Sequence, residues 1–248
     1  MPAPSLKFPA VIVFDVDGVV VDVRGSFQKT TLETVEFFTG KKVTRAELHN
    51  WKNKSGYNDD WKLSTAWVRS LGGDAEYDEV KRKFVELYWG QNGDGNVKNE
   101  KWLLPLASVR KLARRSELAL FTGRTKWELE YTLARCPCRA LFGQIVTVED
   151  VKLPKPNPEG LLKILGKRVP NDILYVGDNV DDALAARAAR VPFIGVLPRR
   201  GEERPERAGR LRELGAVTIL GDIKDLGSWL DRKSRRPAKL VTPRGTKR

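Results

Sequence analysis

Histidine, cysteine and methionine are almost absent from this chain of 248 residues, which has one His, two Cys and one Met. Cys136 and Cys138 are separated by one residue; two thiols are too few for a structural zinc site, and this spacing is poor for a disulfide. We therefore expect free thiols near the end of a helix. His49 falls on a polar predicted helix, where we expect it at the surface, so a mechanism based on histidine is disfavoured.

Long apolar runs are also missing. No segment approaches the roughly 18 consecutive apolar residues of a membrane span. The first apolar run is interrupted by Asp15 and Asp17, so it does not have the form of a secretory signal. With 41% hydrophobic residues the chain is long enough to bury a sizeable core. We expect a soluble cytoplasmic protein with no membrane partner, either a monomer or a homodimer.

Acidic residues are missing from the C-terminal end. The formal net charge is +13, and residues 232–248 supply most of it because they hold eight basic and no acidic residues. A stretch with Pro and Gly, little apolar content and no periodicity is typical of a disordered tail. Such a tail is either simply solvated or tethers an anionic partner. We favour the solvated end and do not expect nucleic acid as a partner.

Short apolar runs alternate with amphipathic stretches through most of the chain. This alternation predicts an α/β fold with a Rossmann-like, mostly parallel sheet and helices on both faces. We predict strands at residues 11–14, 118–122, 144–147, 173–176 and 193–196, an edge strand at 216–219 and a closing helix at 225–230.

One region breaks the alternation. Residues 24–104 contain four segments with helical periodicity and no good strand, including a capping-box pattern at Thr44 and Glu47. An inserted all-α subdomain explains this pattern. We therefore divide the chain into an α/β core (1–23 and 105–231), a helical insert (24–104) and the basic tail (232–248).

Polar residues follow the predicted strands at their carboxyl ends, where ligands bind in open parallel sheets. Asp15 and Asp17 follow the first strand, Thr122 the second and Asp178 the fourth, so we expect these side chains to converge. Lys155 lies between them in the proline-rich stretch VKLPKPNPEG.

Four motifs carry a resemblance to a known family. The four motifs occur in the order DVDGV, FTGR, KPNP and GDNVDD. Together they resemble the motifs of the haloacid dehalogenase superfamily of phosphohydrolases. Within that family the chain is most similar to the phosphoglycolate-phosphatase-like branch, subfamily IA. The resemblance identifies the helical insert as a C1 cap, which in such proteins closes over the site.

The resemblance implies a role for each matched residue. Asp15 would attack phosphorus and form an aspartyl-phosphate, and Asp17 would be the general acid and then the general base. Asp15, the backbone carbonyl of Asp17 and Asp178 would hold Mg²⁺. Family members that hydrolyse phosphate esters keep an aspartate at the position of Asp17, whereas the true dehalogenases do not.

The other motif residues would act on the phosphoryl group. Thr122 and the amide of Gly123 would donate hydrogen bonds to its oxygens, and Lys155 would stabilise it electrostatically. In the fourth motif, Asp182 fits best and would act through metal-bound water or Lys155. Asp181 remains a second candidate for that position.

The cap has its own candidates for substrate recognition. By analogy with capped members of the family, Ser55, Tyr57 and Asn58, with one nearby lysine, would contact the part of the substrate away from phosphate. Alternatively, Asn58 and Asp59 only cap the following helix. Arg24 and Arg124 are further candidates for contacting substrate anions.

The function that these features favour is a Mg²⁺-dependent phosphatase acting on a small phosphorylated metabolite, such as phosphoglycolate, a sugar phosphate or histidinol phosphate. Two alternatives keep the fold: a phosphomutase, and a phosphonate hydrolase that forms an imine on Lys52, Lys54 or Lys62. The third alternative is a non-catalytic protein that binds nucleic acid through the basic tail.

Overall fold

The fold is built on a six-stranded parallel sheet, seen in a computed structural model that describes residues 8–136, 138–199 and 204–234. The strands in these ranges are β1 (Val11–Phe14), β2 (Val21–Asp22), β3 (Lys101–Trp102), β4 (Glu117–Phe121), β5 (Phe142–Val146), β6 (Ile173–Gly177), β7 (Phe193–Val196) and β8 (Thr218–Leu220). The main sheet has the order β5-β4-β1-β6-β7-β8, with β1 at its centre. The predicted α/β class is therefore confirmed.

Helices surround this sheet and fill the insert. The α-helices of the described ranges are α1 (Phe27–Thr39), α2 (Arg45–Lys52), α3 (Asp60–Ser70), α4 (Tyr77–Trp89), α5 (Leu106–Ala113), α6 (Lys126–Ala134), α7 (Glu159–Leu165), α8 (Val180–Ala189), α9 (Arg204–Glu213) and α10 (Leu226–Ser234). None of them combines the length and the hydropathy that a membrane crossing requires.

Both faces of the sheet are buried. Ile12 and Phe14 of β1 belong to one hydrophobic cluster, while Val11 and Val13 belong to a second cluster on the other face. All four side chains are fully inaccessible to solvent. This is why β1 is a continuous apolar run rather than an alternating one. The carboxyl end of β1 is consequently held at a fixed position in the middle of the molecule.

The four helices α1 to α4 form a separate bundle between β2 and β3. A third hydrophobic cluster, which includes Val35, Leu63 and Trp67, lies inside this bundle. Gly40 directly follows helix α1 in the left-handed conformation (φ 64°), and the predicted capping box of Thr44 and Glu47 begins α2. The insert therefore has a core of its own.

The two chain segments that connect the sheet to the bundle pair with each other as a short antiparallel ribbon, which we did not predict from the sequence. β2 pairs with β3 through Val21 with Trp102 and Asp22 with Lys101. The prediction of no strand in residues 24–104 is wrong at this point because a two-residue strand is too short to show alternation.

Smaller differences concern the ends of elements. β5 begins at Phe142, two residues before the predicted start, and β8 ends at Leu220, one residue after the predicted end. Arg232 and Lys233, which we assigned to the tail, belong to α10; the rest of the predicted tail, 235–248, lies outside the described residues. Cys136 and Cys138 are free thiols, as predicted, and both are buried.

Candidate active site

The turn after β1 brings two acidic segments together. The Asp15 amide donates to the Val176 carbonyl at 2.8 Å, which continues the pairing of β1 with β6 to the end of the strand. Gly18 then turns the chain with φ 74°, and a Cβ atom at this position would lie 2.4 Å from Asp178 Oδ2. Only glycine allows this approach without a rearrangement. The predicted convergence of Asp15 and Asp178 is thus built into the backbone.

Lys155 is enclosed by acidic and aromatic side chains. Its ammonium donates to Asp15 Oδ1 at 2.7 Å and to Asp182 Oδ1 at 2.8 Å, and its side chain is 1% exposed. Burial alone would lower the pKa of Lys155, but Asp15 and Asp182 raise it above its usual value. Lys155 is therefore a fixed positive charge between two carboxylates.

Asp181 and Asp182 are neighbours in sequence, but their carboxylates have different partners. Asp182 accepts hydrogen bonds from Lys155, from the Tyr175 hydroxyl at 2.6 Å and from the amides of Asp178 and Asn179. Asp181 instead accepts from the Ser55 hydroxyl and the Gly56 amide of the insert. Asp182 is thus the residue that contacts Lys155, whereas Asp181 links α8 to the helical bundle.

Negative charge exceeds positive charge at the carboxyl end of the sheet. Carboxylate oxygens of Asp15, Asp178 and Asp182 lie within 4.8 Å of one another. Burial raises the pKa of Asp15 well above its usual range despite the nearby Lys155. Burial likewise raises the pKa of Asp178 to about 6, although Arg207 opposes this rise. A cation placed among these oxygens would favour the ionised carboxylates and so lower the pKa values of both Asp15 and Asp178.

Asp17 does not belong to this cluster through its side chain. Its Oδ1 accepts hydrogen bonds from Nε of Arg124 at 2.9 Å and from Nη2 at 2.5 Å. Arg124 was predicted to contact substrate anions, but its side chain is 1% exposed and its guanidinium is engaged by Asp17 and Glu100. Buried partners use the hydrogen-bonding groups of Arg124 in this structure, and its contact with substrate anions stays a prediction.

Thr122 and Gly123 follow β4 and reach the same region. The Thr122 side chain is buried, and its hydroxyl oxygen accepts from the Arg124 amide at 3.1 Å. Gly123 lines a cavity, and a Cβ atom at Gly123 would lie 2.5 Å from Asn58 Nδ2. The absence of a side chain therefore lets the insert approach β4 closely.

The predicted recognition residues of the insert have different positions. Asn58 lines the cavity and accepts from Asn179 Nδ2 at 3.1 Å. Ser55 contacts Asp181, as described, and Tyr57 packs edge-on against Trp51. Arg24 is 62% exposed and pairs with Asp22 at 2.6 Å. Arg24, Ser55 and Tyr57 are not among the residues that line the cavity, and their role as substrate contacts stays a prediction.

The cavity lies between the insert and the sheet and has a volume of about 220 Å³. Its lining includes residues that sequence reasoning did not assign to the phosphatase site: His49, Lys52, Asp60 and Arg207. Lys52 and Asp60 form an ion pair of 2.6 Å with low exposure, and Arg207 donates to the Asp178 carbonyl at 3.1 Å. His49 was predicted at the surface, but it is only partly exposed and lies 3.4 Å from Arg207.

For two of these residues, the spacing along a helix could have indicated that they face the site. Lys52 follows the buried Leu48 by four residues on α2, and Arg207 precedes the buried Leu211 by four residues on α9. Residues four apart share one face of a helix. A charged residue at an inward-facing helical position therefore could have indicated a place in the site.

The geometry can be compared with known proteins. The family described as haloacid dehalogenase-like hydrolase matches residues 12–196. An imidazoleglycerol-phosphate dehydratase from Phytophthora nicotianae is 30% identical over 91% of this chain, which spans only 54% of that relative. Phosphoglycolate phosphatase 1 from Pseudomonas aeruginosa is 22% identical over 96% of this chain and 85% of its own length.

A similar solved structure is that of CbbY from Rhodobacter sphaeroides in complex with phosphate. It has a TM-score of 0.66 at 20% identity and covers 90% of this chain and 99% of its own, which shows a shared fold. The family match spans all four motifs that form the site, from Asp15 to Asp182. The chain therefore belongs to the haloacid dehalogenase-like hydrolase family.

Proposed function

We propose that this hydrolase releases phosphate from a small phosphate monoester through a phosphoryl intermediate on Asp15, with Mg²⁺ as its cofactor. The observation that carries the proposal is the buried contact of Lys155 with Asp15 and Asp182, beside Asp178 and at the cavity between the insert and the sheet. A cavity of about 220 Å³ favours a substrate of few carbon atoms over a phosphoprotein.

The proposed reaction has two displacements. A carboxylate oxygen of Asp15 bonds to phosphorus while the ester P–O bond breaks, and Asp17 gives a proton to the leaving alcohol oxygen. Water then bonds to the same phosphorus and gives a proton to Asp17 as the bond to Asp15 breaks. Lys155 stabilises charge in both steps, and Thr122 and the Gly123 amide donate hydrogen bonds to the phosphoryl oxygens.

The residues at this position fit a divalent cation. Oxygen ligands and excess negative charge are what Mg²⁺ requires, and Asp15 and Asp178 offer both, with the backbone carbonyl of Asp17 as a third ligand. Asp182 is already engaged by Lys155 and Tyr175, so it acts on the ligands rather than as one of them. The bound ion supplies neutralisation of the phosphate charge.

We propose that the helical insert acts as the cap and residues 1–23 and 105–231 as the core. The separate hydrophobic cluster of the insert supports this division. Two contacts support closure over the site: Asp181 accepts from Ser55 and Gly56, and Asn179 donates to Asn58.

The cap lysines do not favour the phosphonate alternative. Imine formation requires a neutral amine. Burial lowers the pKa of Lys52, but the contact with Asp60 more than compensates, so the pKa is raised and the ammonium form is favoured. Lys54 lies over the Trp51 ring at 4.1 Å, and Lys62 has an exposed side chain near Asp59. The buried catalytic set likewise favours an enzyme over a tail-based nucleic-acid-binding protein.

The proposal is tested by a screen for free phosphate. The panel contains phosphoglycolate, sugar phosphates, histidinol phosphate, pyrophosphate and p-nitrophenyl phosphate, each assayed with Mg²⁺ and with EDTA. We expect phosphate release from at least one monoester, loss of release in EDTA and recovery when Mg²⁺ is restored. Full turnover in EDTA would contradict the metal assignment, and a phosphorylated isomer without free phosphate would identify a mutase instead.

A second prediction concerns the effect of Mg²⁺ on stability. In the metal-free protein the pKa of Asp178 is about 6 instead of its ordinary 3.8. The folded state therefore binds this proton more tightly than the unfolded state does. The resulting stabilisation is complete below about pH 4 and is lost as the pH rises through 6, with a total of about 3 kcal/mol.

Mg²⁺ compensates the ionised Asp178, so it should raise the melting temperature by several degrees at pH 7.5 and by much less at pH 5, where protons compete with the ion. Thermal unfolding followed by fluorescence with Mg²⁺ or EDTA measures both shifts. Asp178→Asn should remove the difference, whereas Asp231→Asn, at an exposed ion pair with Arg115, should keep it. Equal shifts at the two pH values would argue against this account.

A further inference from the structure

We propose that Arg124 and Glu100 are positioning residues that fix the carboxylate of Asp17 for proton transfer to the leaving oxygen. This inference rests on the proposed function, in which Asp17 is the general acid. It assigns a task to Glu100, which lies outside the four motifs, and it changes the task of Arg124 from substrate contact to support of Asp17.

The guanidinium of Arg124 is held by hydrogen bonds on several sides. Nε and Nη2 donate to Asp17 Oδ1, Nη2 also donates to Glu100 Oε1 at 2.8 Å, and Nη1 donates to Glu100 Oε2 at 3.1 Å and Thr132 Oγ1 at 2.6 Å. The ring of Phe27 lies 4.9 Å from the guanidinium carbon. A planar group with this set of partners has one orientation, and charge-assisted hydrogen bonds make it rigid.

Glu100 is held as firmly as Arg124. Its carboxylate accepts from the hydroxyls of Ser26 at 3.3 Å, Tyr88 at 3.1 Å and Thr132 at 2.6 Å, and its side chain is 1% exposed. Tyr88 in turn stacks on Phe27 with ring centroids 4.3 Å apart. The charge of Glu100 balances a buried guanidinium that would otherwise be costly to desolvate.

This arrangement leaves one oxygen of Asp17 for chemistry. Both hydrogen bonds from Arg124 go to Oδ1, and Oδ2 has no hydrogen bond to any described residue. The Asp17 side chain is 34% exposed and lines the cavity. Oδ1 is therefore the anchored atom, and Oδ2 is the atom available to exchange a proton with the substrate.

The network also joins the two passages between core and insert. Ser26 lies just after β2, where the chain enters the insert, and Glu100 lies just before β3, where the chain returns. The Ser26 hydroxyl donates a hydrogen bond to the Glu100 carboxylate, and the same carboxylate accepts from the Arg124 guanidinium. The orientation of Asp17 therefore depends on the geometry of the point where the insert joins the core.

The test compares substrates with different leaving groups in a Glu100→Gln variant. Gln keeps the shape of Glu but removes the charge that fixes Arg124. An alkyl phosphate monoester needs a proton on its leaving oxygen, whereas p-nitrophenolate leaves without one. We expect kcat/KM for the alkyl ester, which reports the steps up to departure of the alcohol, to fall by about 30-fold, because general acid catalysis supplies roughly 10²–10⁴-fold. The kcat/KM for p-nitrophenyl phosphate should fall by less than about threefold, and the later attack of water on the phosphoryl intermediate, which is common to both esters, does not enter this comparison.

Matched variants separate positioning from loss of structure. Glu117→Gln removes a surface pair with Arg168 and should leave both rates unchanged. Arg124→Lys should reproduce the selective loss, since it keeps the charge but not the planar fork. If Glu100→Gln fails to fold, Tyr88→Phe is the alternative, because it removes one donor to Glu100. It should also slow the alkyl ester more than p-nitrophenyl phosphate, but by a smaller factor.

Equal losses on both esters, or no loss on either, would overturn the inference. Failure of the proposed function itself has a different signature, because the wild-type protein would then release phosphate from neither ester.

Discussion

Replacing Asp15 by Asn is expected to reduce phosphate release by about 10⁴-fold or more, since removal of a nucleophile has losses of this order in other enzymes. The amide has nearly the shape of the carboxylate but cannot form the phosphoryl intermediate. Lys155 keeps its contact with Asp182 in the variant, so the surrounding structure should persist. The measurement is single-turnover phosphate release with the best monoester of the screen.

Two further readouts make this prediction specific. Acid-quenched wild-type protein should carry phosphate from a labelled substrate, and the Asp15→Asn protein should not. The metal-free variant should also be at least as stable as the wild type at neutral pH, because burial raises the pKa of Asp15 and its ionised form is unfavourable there. Asp231→Asn is the matched control, because Asp231 pairs with Lys111 and Arg115 away from the site. A residual rate within tenfold of wild type would refute the assignment of Asp15.

The second large effect is expected for Lys155→Met, which should lose both activity and stability. Without this ammonium, the carboxylates of Asp15 and Asp182 face each other in a buried site. Breaking a buried ion pair from one side costs about 3–5 kcal/mol, which corresponds to a decrease in melting temperature of about 10 °C for a chain of this size.

The double variant Lys155→Met with Asp182→Asn separates the two losses. It should recover much of the stability, since one uncompensated charge is removed, but none of the activity. Lys111→Met, at an exposed pair with Asp231, should change neither property. A Lys155→Met protein as stable as the wild type would mean that the buried charges are balanced in another way.

The arrangement of the sheet was predictable because its central strands are buried on both faces. β1 and β7 have the predicted bounds, and both are short apolar runs followed by polar residues. The same logic predicts that Asp15 and Asp178 converge, since parallel strands end at one edge of the sheet. The short apolar runs of the strands are therefore enough to predict both the sheet and the meeting of these two carboxylates.

The environment of Asp17 was not predictable in this way. Arg124 contacts Glu100, which is 24 residues away, and Asp17, which is 107 residues away, so no periodic pattern connects them. Arg24 shows the converse case. It follows the first motif closely, yet Asp22 binds it two residues earlier in the chain and holds it at the surface. Proximity in sequence indicates a candidate, but the competing partner decides where a long side chain goes.

The first turn of α8 has a consequence for the order of events in turnover. Asp182 on this turn contacts Lys155, and the adjacent Asp181 contacts Ser55 and Gly56 of the insert. In the proposed cap-and-core arrangement, movement of the insert away from the sheet would break these latter contacts and leave the Lys155 contact of Asp182 in place. Neighbouring carboxylates on one helical turn would then serve two separate steps, one in the chemistry and one in the release of product.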